Sequence, residues 1–247
     1  MYFFIQSNVR KVFNYAPNKE NQVMARNTTE TKLLKLIKDF NFKCGKKYKL
    51  IIIFGLLGDF DSIEYAINLK KYIESNQNLE LDIFAIAIGN KNGKEKFCKF
   101  TGFPKENLEV VSDNKIHNNL MASKGIDIGL GGWINMLLML SGINSLKTIK
   151  EVIRGYTGDR HAEQIFSDFD KIDLLKFVKF SGISFKYAFG DGYLRPFELA
   201  TFRLNNMNEI IQNWSDYILN EKYLPQRGAS FLLNDKNQVV YKFFSSD

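Results

Sequence analysis

The stretch that decides the fold is residues 49–62, which read KLIIIFGLLGDFDS. Its β-branched first part, bounded by a basic turn and by Gly55, predicts a strand buried on both faces. Helical spacing of apolar residues follows from Ile63 to Ile73, and Asp61 or Ser62 is expected to cap the first turn of that helix. The order is therefore strand, loop, helix.

The same alternation continues on both sides of this stretch. Residues 79–89 predict a second strand, 93–101 a short helix that ends at a glycine, and 108–112 a third strand with a helix around 116–123. Because a helix connects the first two strands, they should lie parallel, with a right-handed crossover. Upstream, a helix is expected from Thr28 onward, with the threonines at its first turn.

The alternation stops between residues 125 and about 224, where helices are predicted over 133–140, 145–156 and 197–218. After this insertion, residues 229–233 and 238–243 flank the turn NDKN and predict a closing β-hairpin. A β-α-β-α start and a closing hairpin indicate an α/β protein of thioredoxin-like fold with a large helical insertion, although flavodoxin-like sheets begin in the same way.

We divide the chain into an N-terminal arm, residues 1–30, and one thioredoxin-like domain, residues 31–247, with the insertion at about 125–224. The chain has 247 residues, 45% hydrophobic and 25% charged, which is typical of a globular protein rather than a disordered one. No apolar run approaches the roughly 18 to 20 residues of a membrane span, and the N-terminus does not resemble a secretory signal, so a cytoplasmic protein without a membrane partner is expected.

The net charge of +7 could favour a polyanion, but the lysines are scattered among carboxylates, so no nucleic-acid partner is expected. Two cysteines are too few for a disulfide framework. With only two histidines besides, a metal site built from histidine and cysteine is nearly excluded by count. Neither a metal nor a cofactor is therefore expected.

Four segments carry a resemblance to a known family: FCKFTGFP (97–104), GYTGDR (155–160), RPFELATFR (195–203) and QRG (226–228). They are similar to the peroxiredoxin-like branch of the AhpC/TSA antioxidant proteins, and the long form with its insertion resembles the cyanobacterial and plastid members. The resemblance extends from about Lys32 to Phe243. It implies a thioredoxin-like fold and a thiol peroxidase or antioxidant activity, with a thiol reductant as a possible partner.

The redox motif of that family is degenerate here. A thiol peroxidase needs a thiolate near the N-terminus of the first helix after the strand, where free amides and the helix dipole stabilise the anion. Where related redox proteins carry Cys-x-x-Cys, this chain carries Asp59 and Ser62, and neither residue can form a sulfenic acid or a disulfide. Alternatively Asp59 and Asp61 bind a cation or recognise a polar ligand, or are simply a cap and a solvated acid.

Two further candidates remain, Cys98 and Arg227. Cys98 either faces the core as an inert hydrophobe or is a partly exposed peroxidatic or sensor thiol whose pKa is lowered by neighbouring lysines. Arg227 matches the arginine that helps to hold peroxide and thiolate in the family, and it could equally pair with Asp59 or Asp61 across the strand ends.

Two hypotheses about function follow. The first is a weak or unusual thiol-dependent peroxide reductase with Cys98 as nucleophile and Arg227 as the group that stabilises the anion. The second is a non-catalytic thioredoxin-fold module that binds a protein partner or a small ligand through residues 58–62 and the insertion. The missing cysteine pair favours the second. The apolar positions of the helix predicted over 197–218 also allow a homodimer.

Overall fold

The computed structural model describes residues 23–76, 78–125, 129, 134, 165–174, 178–185 and 196–245. The strands are β1 (Tyr48–Leu56), β2 (Leu81–Ile88), β3 (Leu108–Val111), β4 (Lys171–Leu174), β5 (Val178–Ser181), β6 (Ala229–Leu233) and β7 (Val239–Phe244). The helices are α1 (Val23–Asp39), α2 (Phe60–Ser75), α3 (Lys91–Thr101), α4 (Lys115–Asn119), α5 (Pro196–Gln212) and α6 (Trp214–Tyr217), with short 3-10 turns at Lys105–Asn107 and Glu221–Tyr223. The described residues belong to two compact units, one within Gly142–Trp214 and one within Ile5–Ser141 and Ser215–Asp247.

A five-stranded sheet in the order β3-β2-β1-β6-β7 forms the centre of the larger unit. Strands β1, β2 and β3 run parallel, whereas β6 is antiparallel to β1 and β7 is antiparallel to β6. Ile51 of β1 therefore lies between Phe84 on one side and Phe231 on the other. This mixed sheet confirms the thioredoxin-like fold and excludes the all-parallel flavodoxin-like alternative.

Helices cover both faces of the sheet. On one face, Leu33 of α1 is fully buried in a cluster with alternate residues of β1, β2 and β6. On the other face, Phe54 of β1 packs against Tyr65 of α2, Phe97 of α3 and Phe103. Because both faces are covered, β1 is apolar throughout its centre, and burial of each such side chain contributes about 1.5 to 3 kcal/mol.

The smaller unit contains the predicted long helix α5 and also an antiparallel hairpin, β4 with β5, that the sequence analysis did not predict. Glu198 of α5 is fully buried, and its Oε1 accepts hydrogen bonds from the backbone amides of Ile165 (2.8 Å) and Phe166 (2.9 Å). The ring of Phe166 also stacks on that of Phe185. This carboxylate therefore joins α5 to the segment that leads into the hairpin.

Several helix ends differ from the predictions. Helix α1 begins at Val23, so Thr28 lies inside it rather than at its cap. Helix α4 stops at Asn119, shortly before Met121 adopts a left-handed backbone (φ 60). The helix predicted over 197–218 is interrupted at Asn213, and those predicted over 133–140 and 145–156 lie outside the described residues. In the described part of the chain, no helix has both the length and the apolar character that crossing a bilayer requires.

Candidate functional site

The candidate site lies where β1 ends and β6 begins. Since β6 is antiparallel to β1, with Ala229 opposite Ile53, the residues before β6 come beside the loop that follows β1. The backbone of β1 at Gly55 lies so close to the segment before β6 that a Cβ on residue 55 would clash with the backbone oxygen of Gln226. This edge of the sheet, at the carboxyl ends of the parallel strands, is where ligands bind in many α/β proteins.

Asp59 caps the helix that follows this loop. It has an extended backbone (φ −77, ψ 132), and its Oδ2 accepts hydrogen bonds from the amide of Ser62 (3.2 Å) and from its hydroxyl (3.0 Å). The prediction that Asp61 or Ser62 would be the cap is therefore wrong, because Asp59 is the residue that adopts the non-helical cap conformation. A carboxylate thus occupies the helix N-terminus that would otherwise stabilise a thiolate.

Arg227 forms an ion pair with Asp61. Its Nη1 donates to Asp61 Oδ2 at 3.1 Å, and the two side chains are only 10% and 22% exposed. The structure thus gives Arg227 one of the two carboxylate partners that the sequence predicted. Its role in holding an anionic ligand stays a prediction.

The environment makes Asp59 a proton acceptor near neutral pH. Burial raises the pKa of Asp59 to about 7, and the neighbouring Asp61 carboxylate contributes in the same direction. The guanidinium of Arg227 and the hydrogen bond from Ser62 oppose the rise without cancelling it. Close to pH 7 this group therefore exchanges a proton with solvent, so the charge of the acid cluster depends on pH.

Cys98 lies on α3 and is 8% exposed. Burial raises the pKa of its thiol to about 11, and the charge of Lys94 opposes this only in part. Of the two alternatives for Cys98, the burial and the raised pKa favour the core-facing residue, and its role as a peroxidatic or sensor thiol stays a prediction. Lys94 is itself paired with Glu109 at 3.1 Å, and Cys98 lies about 10 Å along the helix from its N-terminus, too far to gain from the dipole there.

Cys44 lies at the other end of the sheet. It precedes β1, whose nine residues span about 30 Å, so its sulfur is far from the loop that follows that strand. The residue is exposed, but partial burial of its sulfur still raises the thiol pKa. Cys44 is therefore not placed to act at Asp59.

His117 has a structural role that the sequence analysis missed. It is fully buried on α4, and its Nε2 donates to the backbone oxygen of Phe54 at 2.6 Å, which ties α4 to β1. Burial lowers the pKa of the imidazole, and Nδ1 has no hydrogen-bond partner within the described part of the chain. The surrounding sequence, KIHNN over residues 115–119, gave no clear signal that this histidine is buried. His161 lies outside the described residues.

Gln226, next to the predicted Arg227, holds the loops of this edge together. It is 3% exposed, its Nε2 donates to the backbone oxygens of Ser123 (2.7 Å) and Arg227 (3.1 Å), and its Oε1 accepts from Asn114 (3.0 Å). In the regions that the structure describes, no group of three or more histidine, cysteine or acidic residues is arranged to hold a metal ion.

The sheet order, the covering helices and the helix that begins directly after β1 define a protein of the thioredoxin fold. Residues 68–247 match the family model described as AhpC/TSA antioxidant enzyme. Because this match covers well over half of the chain, the protein belongs to that family. The matched segment contains Cys98 and Arg227 but begins after Asp59 and Ser62. Searches of curated proteins and of solved structures find no match.

Proposed function

We propose that this protein is a non-redox member of the AhpC/TSA family, a thioredoxin-fold module that binds a partner through the loop 58–62. The observation that carries the proposal is Asp59 at the N-terminus of α2, with the ion pair of Asp61 and Arg227 beside it. A carboxylate can accept a proton or a hydrogen bond there, but it cannot cycle through sulfenic acid.

The two thiols support the proposal by their positions. Peroxide reduction requires a thiolate, and burial holds the Cys98 thiol in its protonated form at neutral pH. Cys44 is exposed but lies beyond the opposite end of β1. A peroxidase based on Cys98 is therefore the competing hypothesis and the one to be tested.

The loop offers a partner a polar surface whose charge depends on pH. Asp61 is half-buried and already oriented by Arg227, so a partner that donates hydrogen bonds or carries a cation finds an ordered acceptor. Protonation of Asp59 changes the net charge of this surface by one unit near pH 7. The cytoplasmic location and the homodimer predicted from the sequence stay predictions.

The first experiment measures consumption of hydrogen peroxide in the presence of dithiothreitol by the wild type and by the variants Cys98→Ser and Cys44→Ser. We expect equal, background rates from all three, and mass spectrometry should show Cys98 unoxidised under conditions that oxidise Cys44. An Asp59→Cys variant is the positive control, because a thiol at the helix N-terminus should react with a thiol reagent faster than Cys44 does. Turnover by the wild type that disappears in Cys98→Ser would refute the proposal.

Binding is tested separately by affinity capture with the wild type and with Arg227→Gln. The matched control is Lys236→Gln, which removes one positive charge in the exposed turn at the opposite end of β6. A partner recovered by the wild type and by the control, but lost with Arg227→Gln, is the expected result. Equal recovery with both variants contradicts a binding role for the loop.

A further inference from the structure

A pocket of about 310 Å³ opens at the same edge of the sheet as the loop 58–62, within the larger unit. Its lining residues lie in two segments, Asn114, Asn118 and Lys124 after β3, and Lys222, Tyr223, Pro225 and Gln226 before β6. We propose that this pocket binds a small organic phosphate, a monoester with a compact body. The proposal goes beyond the proposed function and uses different side chains, so either one can fail alone.

Hydrogen bonds fix the base of the pocket before any ligand arrives. The side-chain amide of Gln226 donates through its Nε2 to the backbone oxygen of Ser123 and accepts through its Oε1 from Asn114. The Oδ1 of Asn114 in turn accepts a hydrogen bond from Asn118 at 3.3 Å. The amide of Arg227 also donates to the oxygen of Ser123 at 3.0 Å. A pre-formed polar wall of this kind lowers the cost of ordering side chains on binding.

The backbone that carries Lys124 is equally fixed. Gly125 has a left-handed backbone (φ +72), and a Cβ at that position would clash with the backbone oxygen of Pro225. The chain at Lys124 therefore rests directly on the segment that forms the facing wall. This contact, rather than a free loop, fixes the backbone of Lys124 beside the pocket.

The rim carries two positive charges and, among its described lining residues, no acid. Lys124 and Lys222 have no ion-pair or hydrogen-bond partner for their ammonium groups among the residues that the structure describes, and the Nζ of Lys222 lies 4.7 Å from the ring centroid of Tyr223. The carboxylate of Asp113 is paired with Lys115 at 2.8 Å, and this contact is the main reason why the pKa of Asp113 is lowered. The charge of Lys222 contributes to the same lowering from a greater distance. The pocket therefore favours a dianion.

The donor set favours phosphate over carboxylate. Two ammonium groups match a phosphate monoester, which carries nearly two negative charges at neutral pH, better than a carboxylate, which carries one. Tyr223 and Pro225 also line the pocket and are the lining residues with apolar surface for the organic part. A volume near the lower end for small-molecule sites fits a compact ligand.

The test is calorimetric titration of the full chain with phenyl phosphate, inorganic phosphate and benzoate, at low and at moderate salt. We expect phenyl phosphate to bind most tightly, inorganic phosphate more weakly and benzoate weakest. Binding of phenyl phosphate should fall as salt rises. The double variant Lys124→Gln/Lys222→Gln should weaken it at least about tenfold, the loss expected for one charge-assisted contact.

The matched control is Lys99→Gln/Lys236→Gln, which removes the same charge at two exposed positions outside the pocket. The control should bind phenyl phosphate as the wild type does. In the wild type and in the control, the NMR amide resonances of Asn114 and Gln226 should shift on binding. Equal weakening by both double variants would mean a general charge effect and would overturn the proposal. Tighter binding of benzoate than of phenyl phosphate would overturn the ligand class, and no binding of any phosphate would overturn the site.

Discussion

Replacing Asp59 by Asn should stabilise the protein at alkaline pH. Asn caps helices about as well as Asp, and its Oδ1 can still accept the hydrogen bond from the amide of Ser62. What the substitution removes is the negative charge that is half-buried beside Asp61. The effect should therefore depend on pH, because only the ionised form of Asp59 carries the penalty.

The size of the effect follows from the pKa of Asp59. Its value is about 7 in the folded protein against 3.8 for the free side chain, so the folded state binds more protons between these values, and stability falls as pH rises through this window. The difference of roughly three pH units corresponds to at most about 4 kcal/mol. Relaxation around the charged form and partial solvent contact reduce this to about 2 kcal/mol.

The assay is urea unfolding followed by far-ultraviolet circular dichroism, for the wild type and Asp59→Asn, at about pH 4.5, 6 and 8. Most other titrating groups are shared, so the difference between the two proteins isolates Asp59. We expect Asp59→Asn to be more stable by about 2 kcal/mol near pH 8, with the gap closing towards pH 4. Carbon NMR of the Asp59 carboxyl group measures the pKa directly.

The control is Asp235→Asn, which removes a carboxylate in the exposed turn between β6 and β7. It should change the free energy of unfolding by about 0.5 kcal/mol or less at every pH. A wild type that is more stable than Asp59→Asn at pH 8 would refute the reasoning. So would a difference between the two proteins that does not vary with pH.

Three further predictions concern the packing around the site. Arg227→Gln should destabilise the protein by about 2 kcal/mol near pH 8, because the half-buried carboxylates lose their countercharge. In a double-mutant cycle, its effect on the free energy of unfolding should not add to that of Asp61→Asn, and additive effects would contradict the ion pair. Burial lowers the pKa of His117 in the folded state, so the free energy of unfolding should fall as pH drops below about 6.5. In His117→Gln, urea denaturation should show a smaller fall in this pH range. A fall equal to that of the wild type would show that His117 is not responsible. Gly93→Ala should lower the melting temperature although alanine favours helices, because a Cβ at this position would clash with a backbone oxygen of α6. The control is Asn92→Ala at the exposed neighbouring position. Equal melting temperatures for the two variants would rule the clash out.

The core of the fold was predictable because burial on both faces leaves a clear sequence pattern. The run that forms β1 and the helical spacing that forms α2 each follow from one physical requirement, and the structure gives both. The closing hairpin was predictable from a turn of polar residues between two apolar runs. The hairpin of β4 and β5 was not predicted, because four-residue strands offer only two alternations each and the segment 171–181 lies among helical patterns.

Details of the site could not be predicted, because they depend on choices between adjacent residues and on pairings across the chain. Three polar residues near the start of α2 could each have been its cap, and the backbone conformation of Asp59 decided among them. In the sequence, Lys94 is close enough to Cys98 to be expected to lower the pKa of its thiol. In the structure Lys94 is engaged by Glu109, a residue of β3 that no local pattern connects to it.

The loop 58–62 places a carboxylate, Asp59, at a helix N-terminus, where burial and the neighbouring Asp61 outweigh the stabilisation that the helix gives to an anion. A helix N-terminus stabilises any anion, whether thiolate or carboxylate. The guanidinium of Arg227 compensates negative charge on Asp61 in the same region. With Asp59 as the cap, the anion is an oxygen acid with a pKa of about 7, so the chemistry available is exchange of a proton rather than of electrons. A partner that senses this loop should therefore respond to pH and not to the redox state of the medium.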